Sequence, residues 1–176
     1  RISNKVTLRL DDPIERTVEL VSVATGKKFE NIVACVLNRP RHDDLIARLR
    51  NMGVRIKLIQ DCDVSGAVAA CIRGNTVDFL VGIGGAPEAV ISACAIKCLG
   101  GDFQCQIALK EEDWKREGPV MGLEDLVKGP CVFVATGITD GSMLKGVTWD
   151  RGPVTNSVFM RSESGTIRWL TVNHGN

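Results

Sequence analysis

Val77-Asp78-Phe79-Leu80-Val81-Gly82-Ile83-Gly84-Gly85-Ala86-Pro87-Glu88 is the stretch whose reading decides the fold. A short apolar run suited to a strand breaks into a glycine-rich turn, and Pro87 then starts a helix over residues 88–99 that Gly100-Gly101 closes. Strand, glycine turn and helix in that order form part of a β-α-β pattern. Backbone N–H groups bared in such a turn favour an anion. A carboxylate at the helix entry, Glu88, asks for a cation between itself and any bound phosphate. The stretch points to metal-assisted phosphate chemistry on an α/β fold.

Upstream, the pattern recurs. Ile32-Val33-Ala34-Cys35-Val36-Leu37 is continuous and β-branched, which suits a strand covered on both faces. The loop Asn38-Arg39-Pro40-Arg41-His42 follows, then a helix capped by Asp43 or Asp44 with Leu45, Ile46 and Leu49 on one face and Gly53 as its stop. Residues 54–59 form the next strand, Asp61-Cys62-Asp63 ends it, and residues 64–72 make a short helix before the Gly74-Asn75 turn. At the start, Asp11 or Asp12 caps a helix with Pro13 at its first position, Ile14, Val18 and Val21 at helical spacing, and Gly26 as its close.

Downstream, residues 103–109 read as a fourth strand, and residues 110–121, charged and without a clear period, as an exposed connection. A short helix over 123–127 precedes a strand over 131–135 and a second polar glycine loop, Thr136-Gly137-Ile138-Thr139-Asp140-Gly141. Residues 147–149, 154–161 and 166–172 then alternate without intervening helices, with Ser164-Gly165 at a hairpin turn. The expectation is an α/β fold in one domain over 1–176: a mixed sheet flanked by helices, its last strands antiparallel.

Composition narrows the function. With 176 residues, 44% apolar and 24% charged, the chain can bury the core of a single domain. A net charge of +1 from scattered basic residues argues against nucleic-acid binding. No apolar run approaches the roughly 20 residues of a membrane span, and no secretory core follows the first residues, so the chain reads as intracellular and free of membrane. Opening on Arg1, it reads as a processed or partial polypeptide. Seven cysteines, without a Cys-x-x-Cys pair, read as reduced and buried. Cys94 and Cys98 share a helical face, but with no second pair at suitable spacing they suit core packing better than zinc. Pro87 stands where a dinucleotide fingerprint needs glycine. With only His42 and His174 and no G-x-S-x-G turn, a serine-histidine hydrolase is disfavoured.

Three strand ends then carry the chemistry: Arg39 and Arg41, Asp61 and Asp63, and Gly84-Gly85 with Glu88. If the strands are parallel, these loops leave the sheet on one edge, where open α/β folds bind ligands. Arginines on either side of Pro40 can aim guanidinium forks at phosphate, although each alone also suits a solvated surface. Asp61 and Asp63 can hold Mg²⁺ or sugar hydroxyls, and Asp63 equally fits a helix N-cap. Glu88 can instead favour its helix dipole, and His42 can be a phosphate neighbour or a plain loop residue.

Asn38-Arg39-Pro40-Arg41-His42, Asp61-Cys62-Asp63-Val64, Gly82-Ile83-Gly84-Gly85-Ala86-Pro87-Glu88 and Leu99-Gly100-Gly101-Asp102 resemble, in order and spacing, the class II fructose-1,6-bisphosphatases of the GlpX type. Gly122-Leu123-Glu124-Asp125-Leu126, Ala135-Thr136-Gly137-Ile138-Thr139-Asp140-Gly141 and Met160-Arg161-Ser162 continue the resemblance over nearly the whole chain, which corresponds to the C-terminal half of that family. The resemblance implies the C-terminal lobe of an inositol monophosphatase-like sugar phosphatase. The complete enzyme would hydrolyse the 1-phosphate of fructose 1,6-bisphosphate with Mn²⁺ or Mg²⁺, and cyanobacterial relatives also take sedoheptulose 1,7-bisphosphate. It implies substrate contacts from Arg39, Pro40, Arg41, Asp61, Cys62, Asp63 and Gly85, and metal ligation by Glu88. A cytoplasmic or plastid-stromal homo-oligomer when complete is also implied.

No catalytic residue is carried over, because the remaining acidic metal ligands and the catalytic threonine belong to the family's N-terminal half. The chain alone is therefore expected to be inactive unless another chain supplies them. The alternative is a sugar-phosphate-binding module without catalysis. Two departures stand out: Cys62 and Ala89 occupy positions where the family usually has glycine, and a side chain at 62 restricts the turn if φ is positive there. A thiol in that loop also raises the idea of redox control through Cys62.

Overall fold

The computed structural model describes residues 6–72 and 74–175, and the expectation attached to Arg1 lies outside them. Among the described residues the order is α1 (Ile14–Thr25), β1 (Val33–Leu37), α2 (Asp43–Asn51), β2 (Arg55–Ile59), α3 (Asp63–Cys71), β3 (Phe79–Leu80) and α4 (Ala86–Leu99). Then come β4 (Gln104–Leu109), β5 (Lys115–Gly122), α5 (Leu123–Leu126), β6 (Val132–Thr136), β7 (Thr148–Trp149), β8 (Pro153–Arg161) and β9 (Thr166–Asn173). The mixed α/β architecture is as expected, but the strands divide among three sheets. These are a parallel sheet in the order β2-β1-β3, a β4-β5 hairpin, and an antiparallel sheet in which β8 pairs with β6, β7 and β9.

Helix packing separates the parallel sheet from the antiparallel one. One face of the parallel sheet takes α1 and α2: Ile14, Val18, Val21, Ile46 and Leu49 pack with Ile32, Ala34, Val36 and Phe79. The other face takes α3, where Val33 and Cys35 meet Ala69 and Val77. Away from that face, Val68 of α3 and Ala95 and Cys98 of α4 pack on Phe133, Val158 and Met160 of the antiparallel sheet. Each fully buried valine, leucine, isoleucine or methionine among them contributes about 1.5–3 kcal/mol. Gly66 lets α3 come close, since a Cβ there would lie 2.7 Å from Leu80 Cδ1 and 3.1 Å from Cys35 Sγ. Because α3 is enclosed by both neighbours, it is apolar all round and shows little helical period.

Residues 110–121 correct the expectation of an exposed connection, since most of them form β5, antiparallel to β4 with a register shift between Cys105 and Ile107. The strand is exposed over Lys115–Pro119 and half-buried only at its end, so it has no alternation to read. Its turn places Asp113 and Trp114 in the left-handed region, φ 52 and 61, without the glycine or asparagine that usually announces such a turn. Two caps also differ. Pro13 is the N-cap of α1 and not its first residue, and Asp11 instead accepts from Arg116. The N-cap of α2 is His42, with Asp43 and Asp44 in the first helical turn. Gly26 closes α1 in the left-handed conformation, as read from the sequence.

The helices α1 and α2 are tied across their outer surface by Arg48, whose Nε and Nη2 donate to the two carboxylate oxygens of Glu15 at 2.8 and 2.6 Å. That fork holds the Glu15 carboxyl down from the ordinary 4.5 to about 2. A lowered carboxyl adds stability that is present above 4.5 and lost as the pH falls toward 2. Glu15→Gln is accordingly expected to lower the thermal midpoint at pH 7, by a small amount because the pair is solvated. Midpoints followed by circular dichroism should converge with those of the parent as the pH falls through that window.

Candidate functional site

β1, β2 and β3 run parallel, so the segments that follow them meet at one end of the sheet. After β1, Arg39 is extended, and a 3₁₀ turn over Pro40–His42 carries Arg41 and His42. After β2 come Asp61 and Cys62, and Asp63 begins α3. After β3 the glycine turn leads to Gly85, the N-cap of α4, with Glu88 in the first helical turn.

The glycine turn is gripped through Ile83. His42 is 2% exposed; its Nδ1 lies 2.7 Å from the carbonyl of Leu37, and its Nε2 accepts from the Ile83 N–H at 2.7 Å. One ring nitrogen must donate and the other accept, which defines the tautomer with hydrogen on Nδ1. The Ile83 carbonyl accepts from Arg41 Nε at 3.0 Å and Nη2 at 2.7 Å. Two donors of Arg41 are thus spent on the main chain, leaving the Nη1 side of the fork for a ligand. The guanidinium also lies over the Trp114 ring, 5.1 Å from its centroid.

The carboxylates converge on the same rim. Arg39 Nη2 donates to Asp61 Oδ1 at 2.8 Å, with Asp61 largely exposed. Asp63 lies against Gly84, where a Cβ would collide with its Oδ2, and a Cβ at Gly85 would collide with Glu88 Oε2. Burial pushes the Asp63 carboxyl above its ordinary range and the nearby Glu88 charge adds to the rise, while Arg41 and Arg39 pull the other way. Asp63 begins α3 without a side-chain capping bond, which removes the capping account of that residue. The sequence-predicted Arg39, Arg41, Asp61, Asp63, Gly85 and Glu88 are therefore brought together with the turn of Pro40 and Cys62.

Cys62 has φ 68 and ψ 65, left-handed backbone that a side chain resists. It is also exposed, which corrects the expectation that the cysteines are buried; Cys35 and Cys98 are buried, and Cys71, Cys94, Cys105 and Cys131 are half-buried. Cys98 Sγ lies 3.8 Å from Cys131 Sγ. Burial pushes the Cys94 and Cys98 thiols up to about 11 and about 12, so they are protonated packing groups at neutral pH.

Among the described residues, no three His, Cys, Asp or Glu side chains gather as a metal centre. Asp63 and Glu88 are hard oxygen donors of the kind Mg²⁺ or Mn²⁺ takes, but two carboxylates fall short of the six or so ligands such an ion needs. These residues by themselves do not fit the complete ion site. Sequence reasoning missed the anchoring role of His42 and the presence of Trp114. The first had a signal in its place beside Arg41, and the second had none.

Residues 2–174 match the family described as bacterial fructose-1,6-bisphosphatase, glpX-encoded. The chain is 36% identical over 193 positions to a D-fructose 1,6-bisphosphatase class 2/sedoheptulose 1,7-bisphosphatase of Gloeobacter violaceus, covering 97% of this chain and 56% of the relative. A protein of the same name from Synechocystis sp. is 37% identical over 188 positions, covering 94% and 54%. A fructose-1,6-bisphosphatase class 2 of Haemophilus influenzae is 36% identical over 194, covering 97% and 58%. The chain spans about half the length of the curated relatives it matches.

Gly82 has φ 152, and a Cβ there would sit 3.1 Å from both Cε1 and Nε2 of His42. Gly82→Ala should cost about 2–3 kcal/mol in urea unfolding, through an unfavourable backbone and a displaced imidazole. Cys62→Gly removes left-handed strain but loosens the unfolded chain, so a net gain of up to about 1 kcal/mol is expected in the same measurement.

Proposed function

The chain belongs to the glpX-encoded bacterial fructose-1,6-bisphosphatase family, and we propose that it provides the sugar-bisphosphate-binding lobe of a class II fructose-1,6-bisphosphatase. The observation that carries the reading is the meeting of two arginines, three carboxylates and a bared glycine turn at the carboxyl end of three parallel strands. Guanidinium donors suit phosphate oxygens, carboxylates suit sugar hydroxyls, and side-chain-free backbone at Gly84 and Gly85 admits close approach. Arg39 and Arg41 take the phosphate, with Pro40 holding them at one turn. Asp61, Cys62, Asp63 and Gly85 line the sugar, and Glu88 is the ligand that this chain contributes to Mn²⁺ or Mg²⁺.

In this reading the lobe is inositol monophosphatase-like, and the complete enzyme hydrolyses the 1-phosphate of fructose 1,6-bisphosphate. Sedoheptulose 1,7-bisphosphate is a second substrate by analogy with the names of the cyanobacterial relatives. Glu88, with Asp63 close by, would hold such an ion only together with further ligands, and the ion would then supply charge neutralisation and an activated water. A second reading, a sugar-phosphate-binding module without catalysis, is favoured by one observation: no three-ligand group is present among the described residues.

Calorimetric titration with fructose 1,6-bisphosphate tests the binding reading. Arg41→Ala should weaken binding by about 1.5–3 kcal/mol, the scale of a hydrogen bond to a charged group. Equal affinities would remove Arg41 from the site. Phosphate release by the 176-residue chain with Mn²⁺ or Mg²⁺ is expected to stay at background, and sustained turnover would show that the ion needs no ligands beyond this chain.

A further inference from the structure

We propose that Trp114 is a positioning residue for the sugar-phosphate site, holding the Arg41 guanidinium at the angle from which it meets a phosphate. This rests on the reading of Arg41 as a phosphate ligand. Arg41 is fixed from two directions, by the Ile83 carbonyl through Nε and Nη2 and by the Trp114 ring 5.1 Å away. The carbonyl fixes one edge of the guanidinium, and an aromatic face attracts the cation and restrains its tilt. Together they leave Nη1 as the presented edge, and they reduce the side-chain entropy lost when a ligand binds.

Trp114 comes from the end of the β4-β5 hairpin, remote in sequence from the parallel strands. Its backbone N–H donates to the Leu109 carbonyl at 2.8 Å, closing the turn. The hairpin is moored beside α1: Gln104 accepts from Leu10 N–H at 2.8 Å and donates to the Leu8 carbonyl at 3.0 Å. Arg116 donates to the Leu10 carbonyl and to Asp11. These bonds fix the stem and leave the indole to cover Arg41. The ring is half-buried there, although the residue lies on an otherwise exposed stretch.

The test uses the 176-residue chain with fructose 1,6-bisphosphate as the probe, titrated calorimetrically. Trp114→Ala should weaken binding about three- to tenfold, the range expected for a partly exposed cation–π contact. Trp114→Phe, which keeps an aromatic face, should recover most of that loss. In the Arg41→Ala background, Trp114→Ala should have no further effect. In a Trp149→Phe/Trp169→Phe background, the remaining Trp114 emission should shift on adding the bisphosphate, and Arg41→Ala should abolish the shift.

Wild-type affinity for Trp114→Ala overturns the proposal, as does an equal loss with and without Arg41. If Arg41→Ala weakens binding while Trp114→Ala does not, this inference alone fails. If Arg41→Ala binds like the parent, or the parent does not bind, the phosphate-site reading fails and takes this one with it.

Discussion

Both backbone polar groups of Ile83 are taken by consecutive side chains from the loop after β1: the N–H by His42 and the carbonyl by Arg41. His42 also reaches back to Leu37 at the end of β1, so a buried ring bridges strand end and glycine turn. The turn has few side chains of its own with which to hold a shape, and without this clasp its conformational entropy would be expensive to lose. The glycine-turn side of the rim depends on it. The approach of Gly84 to Asp63, the entry of α4 at Gly85 and the direction of the Arg41 fork all follow from where Ile83 is pinned.

The charges around this anchor are unequally committed. Asp61 and Arg39 form an exposed pair, the kind that is worth little in water and is readily given up to a ligand. Asp63 is in the opposite situation, drawn out of solvent beside Glu88 so that its ionised form is disfavoured. Repulsion from the Glu88 charge adds to the desolvation that raises Asp63, while Arg41 and Arg39 oppose both.

The part of the architecture that positions the rim was legible because one continuous apolar run, residues 32–37, and two shorter strand-like runs alternate with helices that have recognisable stops, a β-α-β pattern that pairs its strands in parallel. The order β2-β1-β3 places the middle run, Val33–Leu37, where its burial on both faces requires. What escaped reading had physical causes. A strand with both faces in solvent, as in β5, has no alternation, and the left-handed Asp113 and Trp114 are not residues that mark such a turn. The parallel and antiparallel sheets read as one because α3, apolar on two sides, conceals that it lies between them. At the site, residue types and loop positions could be read, but the spending of Arg41 donors on Ile83 could not. It depends on a distance between segments about forty residues apart.

Because the loop is fastened from beneath by a sequestered imidazole, its shape does not draw on the residues at its outer lip. Asp61, Cys62 and Glu88 can be exchanged with little change in the clasp, whereas His42 and Gly82 cannot. Such a division lets the outer lip change residue by residue while the scaffold beneath it stays folded.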